Sequence, residues 1–237
     1  MDDPADLRAA EAAAAIVAAG RRLGAHRLVA GCDGNLSIRL GPATLAITPA
    51  GRRKDELDPA DVVTVGLLAG ARAPVTAAPA GGHAPRPASR PSSDLAVHRA
   101  AYAARPGAGA VAHAHPPAVL GCLLAGLVPD AAVLPEAQAV LGRVAHVPAL
   151  PFGSAAVAAA VAAALGDPEV GAVLLDRHGA LAVGRTLDEA VDRLEVVELL
   201  CATWLAAHAA GRDPRRRPCA RVPGAASRSP TPSRRRP

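Results

Sequence analysis

Residues 110–117, AVAHAHPP, decide how this chain is read. Small and β-branched residues run into two histidines, and the stretch is closed by Pro116 and Pro117. That pattern predicts a strand over 109–115, ended by proline, and then a helix from Pro117 to Ala125. On a strand, residues i and i+2 point to the same face, so His113 and His115 would present two imidazoles side by side. Flanked by Ala112 and Ala114, the pair has room for a metal ion. Spacing alone leaves metal ligation and plain structural burial both open.

Outward from this stretch, strands and helices interleave. Upstream, a helix is expected over 92–104, with Pro91 before it and Ser92 or Ser93 as its cap. NLSIRL (35–40) and TLAIT (44–48) read as strands joined by Gly41-Pro42, and DVVTVGLL (61–68) as another. Downstream, Ser154 is expected to cap an Ala-rich helix to Leu165. Residues 170–175 and 180–183 form a strand pair around His178-Gly179. Helices over 5–29 and 187–209 close the two ends, and Asp188, Asp192 and Glu195 would form a solvated acidic face on the last one. This order argues for a layered α/β or α+β domain over residues 1–210. Ala69–Arg90, rich in Pro and Gly, reads as a long flexible loop inside it.

Composition excludes several functions. The 237 residues contain one tyrosine, one phenylalanine and one tryptophan, too few to stack nucleic-acid bases. Lys54 is the single lysine, so Schiff-base chemistry would have to use it or nothing. The net charge of +5 comes from residues 211–237, an Arg/Pro-rich tail expected to be disordered. The rest of the chain is net acidic, which speaks against an RNA-binding body. The longest apolar run, 116–129, is too short to span a bilayer, and the acidic N-terminus has no signal-peptide pattern. Scattered cysteines without a CxxC pair suit a reducing cytoplasm.

Further residues could complete a site around the histidine pair. His178 follows an apolar strand and precedes a glycine. Asp94, in RPSSDLAVH, could add a carboxylate, and three imidazoles with a carboxylate suit zinc or another divalent first-row ion. Ser92 and Ser93 lie at an expected helix N-terminus, where backbone N–H groups favour an anion. The turns GCDGN (31–35) and TPAG (48–51) could cradle a phosphate with their amides, although neither matches a phosphate-loop pattern. Glu136 is a candidate second acid or base. His98 follows Asp94 by one helical turn, where it would orient the carboxylate or pack beneath it. His26, His83, His146 and His208 read as surface or loop residues.

Taken in order, GNLSIRL, AITPAGRRKDELDPADVVTV, RPSSDLAVHRAAYAARPGAGAVAHAHPPAV, LPEAQAVLGRVAHVPALPFGS and LLDRHGALAVGRTLDEAVDRLEVVELL resemble the class II aldolase/adducin family from about residue 7 to 207. The resemblance implies a three-layer α/β/α fold around a largely antiparallel sheet. It implies Zn2+, or another divalent ion such as Mn2+ or Co2+, on His113, His115 and His178 beside Asp94. It also implies a phosphate held by Gly34, Asn35, Gly51, Ser92 and Ser93, and a homotetramer. The activity it implies is a carbon–carbon lyase acting on a small hydroxy-carbonyl compound or sugar phosphate through a metal-stabilised enediolate, with Asp94 as the catalytic proton carrier. Such chemistry needs no lysine. A pentulose-phosphate 4-epimerase, a decarboxylase and a non-catalytic adducin-like interaction domain are the alternatives. The chain departs from the fuculose-phosphate aldolase type at three places. Asp94 stands where that type has Glu, Val133-Leu134 where it has a tyrosine, and Ala50 where it has a hydroxyl residue.

Overall fold

The AVAHAHPP stretch folds as strand β4 (Ala110–Ala114), at the centre of one sheet. The computed structural model describes residues 4–68, 90–151 and 153–215. Among them the other strands are β1 (Asn35–Arg39), β2 (Thr44–Ile47), β3 (Val63–Gly66), β5 (Arg143–Val147), β6 (Val170–Leu175) and β7 (Gly179–Gly184). The sheet order is β3-β2-β1-β4-β7-β6-β5. Every neighbouring pair is antiparallel except β5 with β6. β1 lies beside β4 with Asn35 opposite His113, and β7 lies on its other side with Leu181 opposite His113.

Strand alternation gives the sheet two apolar faces. On one face Ala110, Ala112, Ala114, Ala180 and Ala182 pack under α1 (Pro4–Ala25), α3 (Pro117–Leu124) and α6 (Leu187–Ala209), through Ile16, Leu23, Val119, Leu194, Val197 and Trp204. The alanines let these helices lie close to the sheet. On the other face Val111, Val173, Leu181 and Val183 meet Val97, Ala101 and Tyr102 of α2 (Leu95–Ala104) and Val157, Val161 and Leu165 of α5 (Ala155–Leu165). Each fully buried Leu, Val or Ile contributes about 1.5–3 kcal/mol. The α/β/α layering and the largely antiparallel sheet match the expectation.

Several local expectations are corrected. Helix α2 starts at Leu95, and its N-cap is Asp94, not a serine. The Ser92 hydroxyl instead accepts the Asp94 backbone N–H at 3.2 Å, because residues 92–94 form a turn outside the helix. Ser154 is the N-cap of α5 but makes no capping hydrogen bond. The strand expected over 61–68 shortens to β3, since Pro59–Asp61 forms a 3-10 turn closed by an Asp58/Asp61 capping box. The acidic face of α6 is not wholly solvated: Arg22 of α1 binds Asp192 at 2.6 Å and Glu195 at 2.7 Å. Helix α4 (Pro135–Leu141) and strand β5 were not expected. The expected loop, apart from Arg90, and tail residues 216–237 lie outside the described residues, as does His83.

Candidate active site

His113 projects from β4 on the α2 side of the sheet and is almost wholly buried. His115 follows on the same face just past the strand end, and His178 comes from the Asp176–His178 turn between β6 and β7. Antiparallel pairing of β4 with β7 brings the turn to the histidine pair. The three rings converge: His113 Nε2 lies 3.1 Å from His115 Nε2 and 3.2 Å from His178 Nε2. One glycine on each side makes room. A Cβ on Gly179 would sit 2.3 Å from the Ala114 carbonyl oxygen and 2.8 Å from His115 Cδ2. At Gly34, with φ of +70°, a Cβ would sit 2.8 Å from the His113 carbonyl oxygen.

The ring nitrogens facing away from the cluster have their own partners. His113 Nδ1 is 2.9 Å from the Ala180 carbonyl oxygen, which can only accept, so Nδ1 carries the proton and Nε2 keeps its lone pair. His115 Nδ1 lies 3.3 Å from Asp33 Oδ2, which directs its Nε2 inward in the same way. Burial pushes His113 well below the ordinary histidine range, with help from His178 and His115. Burial also lowers His115, against the opposing pull of Asp33 and Asp94, and it lowers His178, where His115 adds to the effect. At neutral pH the rings are therefore uncharged and converge as lone-pair donors. Asp94 Oδ2 is 3.9 Å from His113 Nε2, and Asp94 Oδ1 is buried with no hydrogen-bond partner. Three converging imidazole nitrogens, with the Asp94 carboxylate beside them, fit a divalent cation.

A cleft of about 100 Å³ opens over this cluster. Gly34, Asn35, Gly51, Ser92, Ser93, Asp94, His115 and His178 line it, while His113 lies beneath them. The residues expected from sequence to hold the metal and the phosphate are therefore brought together. The TPAG turn and the PSS segment are held side by side by a short antiparallel bridge between Pro49 and Pro91. Across it Ser92 N donates to the Thr48 carbonyl at 3.0 Å, and Ala50 N to the Arg90 carbonyl at 2.9 Å. Gly51 is exposed with φ of +67°. Asn35 serves Asp94, its Nδ2 donating to Asp94 Oδ2 at 2.7 Å.

Sequence reasoning missed Asp33, Cys32 and Lys54, which also line the cleft. Lys54 is 2% exposed, and its ammonium donates to the Cys32 carbonyl at 2.9 Å and the Arg52 carbonyl at 2.5 Å. It thereby ties the GCDGN loop to the segment after TPAG, and burial lowers its pKa. Asp33, in a loop with two glycines, gave a signal only of a turn. Glu136 is exposed on α4 and does not line the cleft. Tyr102 is buried behind Asp94, away from the cleft.

The chain is similar to known proteins in sequence and in fold. Residues 14–205 match the family described as Class II Aldolase and Adducin N-terminal domain. The chain is 32% identical over 196 residues to a methylthioribulose-1-phosphate dehydratase of Acidiphilium cryptum, covering 78% of this chain and 85% of that one. It is 33% identical over 192 residues to the 5-methylthioribulose-1-phosphate/5-deoxyribulose-1-phosphate aldolase of Rhodospirillum rubrum, covering 80% and 78%. The crystal structure of L-fuculose-1-phosphate aldolase from Thermus thermophilus superposes with a TM-score of 0.68 at 28% identity, over 84% of this chain and 94% of the other. The chain therefore belongs to the class II aldolase and adducin N-terminal domain family, and within it to the lyases.

Proposed function

We propose that this chain is a divalent-metal-dependent lyase of a short ketose 1-phosphate, with zinc as the ion and with dehydration as the reaction. The observation that carries the reading is the meeting of His115 Nε2 and His178 Nε2 with His113 Nε2, at 3.1 and 3.2 Å, beside the buried carboxylate of Asp94. His113, His115 and His178 would hold the ion, with Asp94 at its side. When bound there, a divalent ion supplies Lewis acidity to the carbonyl and hydroxyl oxygens of the substrate.

The protein's own groups do the rest. Asp94 Oδ1 takes the proton from the carbon beside the carbonyl. The hydroxyl on the next carbon then leaves as water, taking up the proton that Asp94 carries. The backbone amides of Gly34, Gly51 and Ser93, with the Ser92 and Ser93 hydroxyls, would hold the phosphate, and the Lys54 ammonium adds positive charge on the same wall. Asn35 contributes through Asp94, because its side-chain amide is already engaged.

Aldol cleavage, the reaction expected from sequence, is the second reading. It is supported by the Rhodospirillum rubrum relative. Dehydration ranks first because the one tyrosine lies buried outside the cleft, leaving no phenol group to take the hydroxyl proton that must leave as an aldehyde forms. The catalytic unit is residues 1–210, working as a cytoplasmic homotetramer. The exposed Leu124 and Leu199, on the packed helices α3 and α6, are surface that a second copy would cover.

Incubation with 5-methylthioribulose 1-phosphate tests the reading. Dehydration gives a diketone phosphate of lower mass by one water. Aldol cleavage gives dihydroxyacetone phosphate and an aldehyde. Absence of turnover with this and with 5-deoxyribulose 1-phosphate, in metal-replete protein, would overturn the substrate class.

A further inference from the structure

Behind Asp94 runs a line of buried polar side chains. Asn35 Nδ2 is 2.7 Å from Asp94 Oδ2, and Asn35 Oδ1 is 2.5 Å from His98 Nε2. His98 Nδ1 is 2.6 Å from Ser37 Oγ, which is 2.9 Å from the Tyr102 hydroxyl. All five side chains are buried. Two elements supply them in alternation: Asn35 and Ser37 from β1, and Asp94, His98 and Tyr102 from the start and body of α2. Two residues along a strand rise by about 6.6 Å. Four residues along a helix rise by about 6 Å. The two periods nearly match, so strand and helix side chains mesh as a zip.

The direction of this line is fixed by chemistry. A carboxylate only accepts, so Asn35 must turn its NH₂ to Asp94 and its carbonyl oxygen to His98. That oxygen only accepts, so His98 must carry its proton on Nε2. Burial keeps the ring neutral, so Nδ1 holds a lone pair and must receive the Ser37 hydroxyl proton. Ser37 Oγ in turn receives the Tyr102 proton. Every donor points toward Asp94.

We propose that His98 is the positioning residue for Asp94: as an Nε2–H donor backed by Ser37 and Tyr102, it locks Asn35, which holds Asp94 Oδ2 and leaves Oδ1 free for proton transfer. This rests on the reading of Asp94 as the proton carrier. His98 touches no substrate and acts through Asn35.

Three His98 and Asp94 variants and one spectrum test it on the full, zinc-loaded chain. His98→Leu removes the donor and should lower kcat by about 100-fold with KM changed less than about twofold, since a misplaced group of this kind costs turnover and not binding. His98→Gln keeps an N–H at the Nε2 position and should restore kcat to within about fivefold of the parent chain. A purely structural role would make both variants lose activity only in proportion to their folded fraction, read by circular dichroism. Asp94→Asn separates the two readings. If it stays active, the proton-carrier role of Asp94 fails. If it is inactive while His98→Leu keeps full kcat, only the positioning role of His98 fails. Should the leucine variant not fold, ¹H–¹⁵N long-range correlation on the parent chain remains decisive. The Nε2–H tautomer of His98 is expected at about neutral pH, and the Nδ1–H tautomer would overturn the proposal.

Discussion

His98 sits in the protein without charge: complete burial pushes its pKa down to about 3, against 6.5 for a free ring. The sign follows from that difference. The unfolded chain takes up a proton near pH 6.5 and the folded chain refuses it until about 3, so the contribution of neutral His98 is complete above 6.5 and is lost as pH falls toward 3. Chemical denaturation at stepped pH should show parent-chain stability falling in this window more steeply than that of His98→Gln, by up to about 1.4 kcal/mol per pH unit. Equal slopes would show that His98 is protonated in the fold. At this scale the sequence told much about the site. His113, His115, His178 and Asp94 stood out because i, i+2 spacing and a strand-end His-Gly have direct geometric meaning. Asp33 did not, because its bond to His115 depends on where two distant loops meet. His98 could be placed one turn after Asp94 but not joined to it, since Asn35 intervenes from another element.

Arg105 shows how elements are fastened. It follows the last residue of α2, and its guanidinium donates to the carbonyls of Leu165 at 2.9 Å, Asp167 at 2.7 Å and Val170 at 3.1 Å. These include the unpaired end of α5, so one side chain caps a neighbouring helix and holds it against α2. Arg105→Ala should lower unfolding free energy by about 2 kcal/mol, because several buried or half-buried carbonyls lose a charged donor. A loss below about 0.5 kcal/mol in denaturant titration would mean that water replaces the guanidinium without penalty. Long, strongly patterned elements such as β4, β6, β7 and α6 were legible in sequence. α4 and β5 were not. α4 has seven residues and no capping side chain, and β5 reads Arg-Val-Ala-His-Val with no buried run, because it is an edge strand held by parallel pairing to β6. The serines misplaced as caps had the right residue type, but the turn at 92–94 gave the cap position to Asp94.

The whole molecule is a sheet with helices on both faces, and the candidate site lies where β4, the β6–β7 turn and the start of α2 converge. That layout makes the three histidines part of the fold: His113 lies in the strand ladder, His115 just past its end and His178 in the β6–β7 turn. The near-absence of lysine and of aromatic rings takes on a definite meaning here: Lys54 ties loops together, and Tyr102 stands behind the site instead of in it. A ligand that binds only the folded state raises its stability by mass action. Zn2+ should therefore raise the melting temperature of metal-stripped protein, and it should not do so in His113→Ala. The most direct test of the account is the metal content of the purified full chain, measured by mass spectrometry beside folded His113→Ala and His178→Ala. The expected result is about one divalent ion per parent chain and less than about a tenth of that in either variant, as a three-histidine site requires. An active parent chain without stoichiometric metal, or variants that retain it in full, would contradict the account.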